Sequence, residues 1–229
     1  MEGSRELETI QKMATGIACF DQVAAGGLPQ GRTTLVAGTA GSGKTVLAAQ
    51  LLAEGIEQYD QPGVFVTFEE SAEDIRRNIV SLGWDVPRWE REGKWKFVDA
   101  SPLMTGETIV VGEYDLGALL ARIENAVEQV RAERLVMDSL GAVFSRFDEI
   151  TRVRSELLRI AFALKELGVT ALMTAERGKD YGQLTRFDVE GFVADNVIIL
   201  RNILEAGKRR RTLEILKFRG TDHHKGEYP

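Results

Sequence analysis

The run Gly38-Thr39-Ala40-Gly41-Ser42-Gly43-Lys44-Thr45 fits G-x-x-x-x-G-K-[ST] in full. Residues of these types at this spacing capture a phosphate chain. The glycines let the backbone wrap so that its N–H groups converge on phosphate oxygens. A helix starting near Lys44 adds the positive end of its dipole. Lys44 is then placed for the β- and γ-phosphates and the Thr45 hydroxyl for Mg²⁺, so ATP with Mg²⁺ is the expected ligand.

Three acids have positions that suit this ligand. Arg134-Leu-Val-Met-Asp138 is an apolar strand ending in a carboxylate, which would hold Mg²⁺ directly or through water. Standing alone, such an Asp also serves as a turn former or helix cap. Phe68-Glu69-Glu70 closes the apolar run beginning at Val64. Two acids there suit a general base that orients an attacking water, or an acidic start for the next helix. Spacing does not say which of the two acts.

These groups need a scaffold that brings strand ends together. Hydrophobic runs predict strands over Thr33–Ala37, Val64–Phe68, Lys96–Ala100, Arg134–Asp138 and Thr170–Thr174. Between them, helical spacing predicts helices over Lys44–Tyr59, Ala72–Leu82 with Ser71 as N-cap, Leu116–Val130, and Val153–Leu167 closed by Gly168. Asn196–Arg201 and Arg211–Phe218 read as antiparallel strands joined around Ala206-Gly207. Ser101–Tyr114 is Gly- and Thr-rich without period and reads as a long loop. Alternating strands and helices imply an α/β fold, with right-handed crossovers, a mainly parallel sheet and a C-terminal antiparallel hairpin. Ligands bind such sheets beyond the carboxyl ends of the strands.

Bulk properties bound the function class. The 229 residues carry a net charge of −6, with 44% hydrophobic and 28% charged residues. That is ordinary for one globular domain, and no repeat or linker divides it. Acidity argues against general nucleic-acid binding, which leaves a basic footprint. Lys208-Arg209-Arg210-Arg211 is the one basic run, read as a solvated hairpin turn in preference to a phosphate contact. No apolar run approaches the ~20 residues of a membrane span. The polar, charged start Met1–Lys12 is unlike a signal peptide. The single cysteine, Cys19, makes no internal disulfide. A cytoplasmic setting is expected.

Gly26-Gly27-Leu28-Pro29-Gln30-Gly31-Arg32, before the first predicted strand, resembles the lead-in of RecA-like ATPases. Together with GTAGSGKT, PGVFVTFEES, the GWD at Gly83–Asp85, DNVIILRN and the closing RRRTLEILKFRGTDHHKGEYP, it makes the chain from about Lys12 to Pro229 resemble the N-terminal ATPase domain of the KaiC family of circadian clock proteins. The resemblance implies a RecA-like P-loop domain over 13–229, with 1–12 as an N-terminal extension. It implies a homo-hexameric ring that hydrolyses ATP slowly between neighbouring subunits. Contacts to a subunit's own nucleotide would be Gly41, Ser42, Gly43, Lys44, Thr45, Val46 and Ser81, with Glu69 and Glu70 as the catalytic pair. Lys217, Phe218, Arg219, Thr221 and His223 would be offered to the neighbour's nucleotide, and His224 has no implied role.

The family's autokinase work lies in a second domain, on neighbouring Ser and Thr residues. Here the only adjacent hydroxyl pair, Thr33-Thr34, starts a core strand, so ATPase without autokinase activity is expected. The resemblance also implies a KaiB-type partner docking near 101–114, where this chain departs from the cyanobacterial pattern in being less acidic at Leu103-Met104-Thr105. A nucleic-acid motor of the RadA or DnaB kind shares the phosphate loop and acids. It would bring an interleaved basic-aromatic stretch, which is missing. An assembly module using ATP as glue between subunits is the third reading.

Overall fold

The central strands are buried almost end to end and apolar through their middles because they are covered on both faces, as parallel sheets are. In a computed structural model of the chain, described for residues 10–101, 116–144, 149–182 and 190–229, the strands and helices alternate as anticipated. β1 (Lys12–Met13), α1 (Ala18–Val23) and β2 (Leu28–Pro29) form an amino-terminal cap. Then follow β3 (Thr33–Gly38), α2 (Lys44–Tyr59), β4 (Gly63–Thr67), α3 (Ala72–Ser81), α4 (Val86–Arg91), β5 (Trp95–Asp99), α5 (Leu116–Val130), β6 (Arg134–Asp138), α6 (Leu140–Phe144), α7 (Ile150–Glu166), β7 (Thr170–Glu176), α8 (Glu190–Val193), β8 (Asn196–Glu205), β9 (Lys208–Phe218) and β10 (Glu227–Tyr228).

The large sheet has the order β10-β9-β8-β3-β7-β6-β4-β5. From β5 to β8 every pairing is parallel, and β9 and β10 add on antiparallel. Side chains alternate between two cores. Leu35, Val64, Val66, Leu135, Met137, Ala171 and Met173 pack with α5 and α7. Val36, Phe65, Val136, Leu172 and Ile198 face α1 to α4. The strand order places β7 between β3 and β6, so Gly38, Asp138 and Glu176 finish at the same carboxyl end of the sheet.

Ser71 caps α3 as anticipated, its hydroxyl accepting from Asp74 N at 3.1 Å. Gly168 closes α7 at φ 69°. β8 runs four residues beyond Arg201 and pairs with β9 out to Glu205↔Lys208, where the added β9 residues Lys208, Arg209 and Arg210 are exposed and charged. Periodicity missed that extension, since charged residues there hide the pairing. It also missed α4, which Asp85 caps by accepting from Arg88 N at 3.1 Å and which Val86 and Trp89 anchor in the core. The two-residue pairing of β1 with β2 has no local signal. It depends on Gly27, where a Cβ would lie 2.1 Å from Met13 O. The boundary drawn between residues 12 and 13 falls inside β1. Of the long loop read over Ser101–Tyr114, all but Ser101 lies outside the described residues.

Candidate active site

β3 delivers its last residue, Gly38, into a turn that Gly41 (φ 73°) and Gly43 (φ 97°) permit, and α2 begins at Lys44. Gly38 itself is packed so closely that a Cβ would meet Ser42 Oγ at 2.4 Å and Leu200 O at 2.8 Å. Lys44 folds back over the loop, its Nζ donating to Gly38 O at 3.0 Å and Thr39 O at 3.1 Å. Burial lowers the Lys44 pKa, and Glu176, Asp138 and Glu69 oppose that shift. The buried Ser42 Oγ has no hydrogen-bond partner among the described residues. A curled loop with an unpartnered hydroxyl, at a helix amino end, fits a phosphate chain.

The acids converge on the same spot. A cavity of about 120 Å³ is lined by Lys44, Thr45, Thr67, Glu69, Glu70, Asp138, Ser139 and Glu176, among others. Asp138 is 8% exposed and accepts from the hydroxyls of Thr174 and Thr45. Burial pushes its carboxyl pKa up, although those two hydrogen bonds pull the other way. Thr45 and Asp138 thus stand together as a hydroxyl and a carboxylate, a donor set suited to Mg²⁺ beside phosphate oxygens. Among the described residues no group of three His, Cys, Asp or Glu forms a metal site by itself, and a Mg²⁺ completed by phosphate needs none.

The helix-start reading of Glu69-Glu70 does not hold, because Ser71 supplies the cap and Glu73 and Asp74 the acidic first turn. Glu69 accepts instead from Ser139 Oγ at 2.7 Å. Glu70 accepts from Asn78 Nδ2 at 3.3 Å. Its carboxyl pKa is raised by burial, then by Asp138, Asp74 and Glu69. The two acids are therefore unequal. Glu176, which sequence reasoning overlooked, also lines this cavity. Its signal was an acid ending an apolar strand, which means little until β7 is known to lie beside β3.

The remaining sequence-derived residues fall elsewhere. Val46 is exposed on the first turn of α2. Ser81 is at the far end of α3, its hydroxyl donating to Asn78 O at 2.7 Å. Lys217 donates to Gly191 O at 3.1 Å and Ala194 O at 2.8 Å. Phe218 is buried, its ring centroid 5.5 Å from that of His223. Arg219 pairs with Asp195 at 3.7 Å and is 56% exposed. Thr221 and His223 are half-buried in the turn that follows. The basic run is not uniformly a solvated turn. Arg209 and Arg210 bond within the hairpin or to Glu205 and Glu227, but Arg211 reaches the phosphate loop, its Nε donating to Gly41 O at 3.1 Å.

Register fixes how far apart these groups lie. Gly38 is level with Leu200, while Phe218 pairs with Asn196, which is level with Thr34. Four steps along β3 separate the levels, roughly 13 Å. The cradle sits at the carboxyl ends of the parallel strands, and Lys217–His223 at their amino ends.

Comparison with known sequence families matches residues 13–229 to the family described as "ATPase: KaiC". The chain belongs to the KaiC family. It is 59% identical over 225 residues to the circadian clock protein KaiC3 of Synechocystis sp., covering 98% of this chain and 44% of that protein. It is 53% identical over 220 residues to the circadian clock oscillator protein KaiC of Thermostichus vulcanus, covering 96% of this chain and 42% of the relative. To the protein of that name from Synechococcus elongatus it is 52% identical over 224 residues. The chain spans less than half the length of the curated relatives it matches. The fold is the RecA-like P-loop fold of this KaiC-type ATPase domain, with the predicted parallel sheet and C-terminal hairpin. No described helix is long and apolar enough to cross a membrane.

Proposed function

We propose that this KaiC-type domain, comprising 13–229 with 1–12 as an extension, binds ATP with Mg²⁺ at Gly38–Thr45 and hydrolyses it slowly at the interfaces of a hexameric ring. One observation carries the reading: the phosphate cradle and the cationic segment Lys217–His223 stand at opposite ends of the sheet. A single chain does not bring both to one nucleotide, whereas a head-to-tail ring pairs one subunit's cradle with the next subunit's segment.

In this reading Gly41–Val46 wrap the phosphates, and Lys44 exchanges its loop carbonyls for phosphate oxygens. Bound Mg²⁺, held by Thr45 and Asp138, would offset charge developing on the phosphate chain. Glu70, its carboxyl raised above the ordinary range, accepts the proton of the attacking water. Glu69, fixed by Ser139, orients the same water. Ser81, at the far end of α3, would contact the subunit's own nucleotide. Lys217 and Arg219 supply positive charge from the neighbour, with Phe218, Thr221 and His223 shaping that side. Autokinase chemistry would belong to a second domain, and a KaiB-type partner would have to accept the less acidic Leu103-Met104-Thr105 if it docks near 101–114 as in the family.

Size measurement by light scattering, with and without ATP·Mg²⁺, tests the ring. A shift from monomer to hexamer is expected, and a persistent monomer with undiminished turnover would sink the proposal. Stimulation of turnover by single-stranded DNA would favour the motor reading instead.

A further inference from the structure

Lys12 lies outside the cradle, and its ammonium group joins the amino-terminal strand to the C-terminal segment. Nζ donates to Ala24 O at 2.5 Å, Ala25 O at 3.1 Å and Asp222 O at 2.6 Å. Three donors meet three carbonyls, which is the full capacity of an ammonium. Two of the acceptors belong to the turn that ends α1, where Ala25 is held at φ 51°. The third lies 210 positions away along the chain, between Arg219 and His223. The same ammonium stands 5.9 Å from the centroid of the Phe218 ring, within range of a cation–π contact.

Two further contacts join the same parts. His224 N donates to Val23 O at 2.9 Å. Gly220, at φ 70°, lies so close to Ile10 that a Cβ would fall 2.4 Å from Ile10 Cδ1. Residues between Phe218 and Glu227 belong to no strand, so these attachments set where that stretch runs. Donors directed at main-chain carbonyls fix the backbone and leave side chains free to meet a ligand.

We propose that Lys12 is a positioning residue for Arg219–His223, holding their backbone at the place from which their side chains reach a neighbouring subunit's nucleotide. This rests on the assignment of that segment to the neighbour's site. Displacing a group that must meet phosphate oxygens by about 1 Å can cost on the order of 100-fold in rate.

The test compares Lys12→Met, which keeps a stem of similar length without donors, with Lys12→Arg. A planar guanidinium keeps the charge, but its longer, rigid fork does not fit the place where one compact ammonium meets these three carbonyls. Two quantities are read on the full chain: affinity of isolated protomers for a fluorescent ATP analogue, and turnover of the assembled protein at saturating ATP. Expected for Lys12→Met are unchanged protomer affinity and turnover lower by roughly 10-fold or more, with Lys12→Arg between it and the unaltered chain. Equal turnover of Lys12→Met and the unaltered chain overturns the proposal, as does a parallel loss of protomer affinity. Arg219→Ala separates the two levels of inference. If it keeps full turnover, the neighbour assignment fails and the Lys12 proposal with it. If it loses turnover while Lys12→Met does not, only the Lys12 proposal fails. Should Lys12→Met not fold, Lys12→Arg decides alone: reduced turnover supports the proposal, and turnover equal to the unaltered chain overturns it.

Discussion

At the scale of single residues, the site sets apart carboxylates that look alike in the sequence. Glu70 carries a raised pKa from burial and from Asp138, Asp74 and Glu69. A base must be ionised to act, so turnover is expected to decline with falling pH at a higher pH than an ordinary carboxylate would give. Glu70→Gln is expected to cut turnover on the order of 100-fold or more and to abolish that acid limb. Glu69→Gln is expected to keep the limb with a smaller loss, and a pH–rate profile of both variants checks this. The raised pKa of Asp138 has a consequence for stability. Its folded pKa is raised, chiefly by burial, so its ionised form destabilises the fold above that pKa, and the penalty fades as pH falls through it. Asp138→Asn removes the charge while keeping an acceptor for Thr174 and Thr45. The nucleotide-free variant is expected to melt about 2–4 °C higher at neutral pH while losing Mg²⁺-dependent turnover. Calorimetry of both proteins gives the first result and a turnover assay the second. The phosphate loop, Asp138 and the two glutamates were legible because motif and strand end coincide. Glu176 was not, since its relevance comes from the β3–β7 neighbourhood and not from any local pattern.

At the scale of elements, what joins the layers was the least legible. Arg134 reads as a charged start to strand β6, yet it is fully buried. Its guanidinium donates to Ala14 O at 2.6 Å, Thr15 O at 3.0 Å and Leu51 O at 2.8 Å, and to Gln61 Oε1. It fits over Gly55 of α2, where a Cβ would come within 2.5 Å of Nε. Burial lowers its pKa to about 10, so it stays charged at neutral pH. Arg134 thereby ties the amino-terminal segment, α2 and β6 together, a role that exists only after residues 119 and 83 positions apart in sequence have met. Arg134→Met is expected to cost about 3 kcal/mol or more in urea unfolding, because three carbonyl bonds from a charged donor are lost. Elements with one clear apolar period were, by contrast, readable: α2 and β6 have the bounds assigned to them, and α5 ends at Val130 as its period assigns. Periodicity reports burial, and burial decides those elements. Short ones such as α1, α4 and β10 owe their form to long-range contacts.

At the scale of the whole molecule, β9 runs from the phosphate loop to the far end of the sheet. Its residue Arg211 touches the chain's own Gly41, and Phe218 leads into the segment assigned to a neighbour. Each subunit would carry half of two different sites. The most direct test mixes two variants that fail for different reasons. Glu69→Gln with Glu70→Gln disables the cradle side, and Arg219→Ala disables the offered side. Each protein alone is expected to be nearly inactive. Mixed in equal amounts under ATP and allowed to exchange subunits, they are expected to recover about a quarter of the unaltered turnover, the share of interfaces at which random pairing joins two intact halves. A mixture no more active than its parents, or an Arg219→Ala protein with full activity by itself, would contradict the shared site.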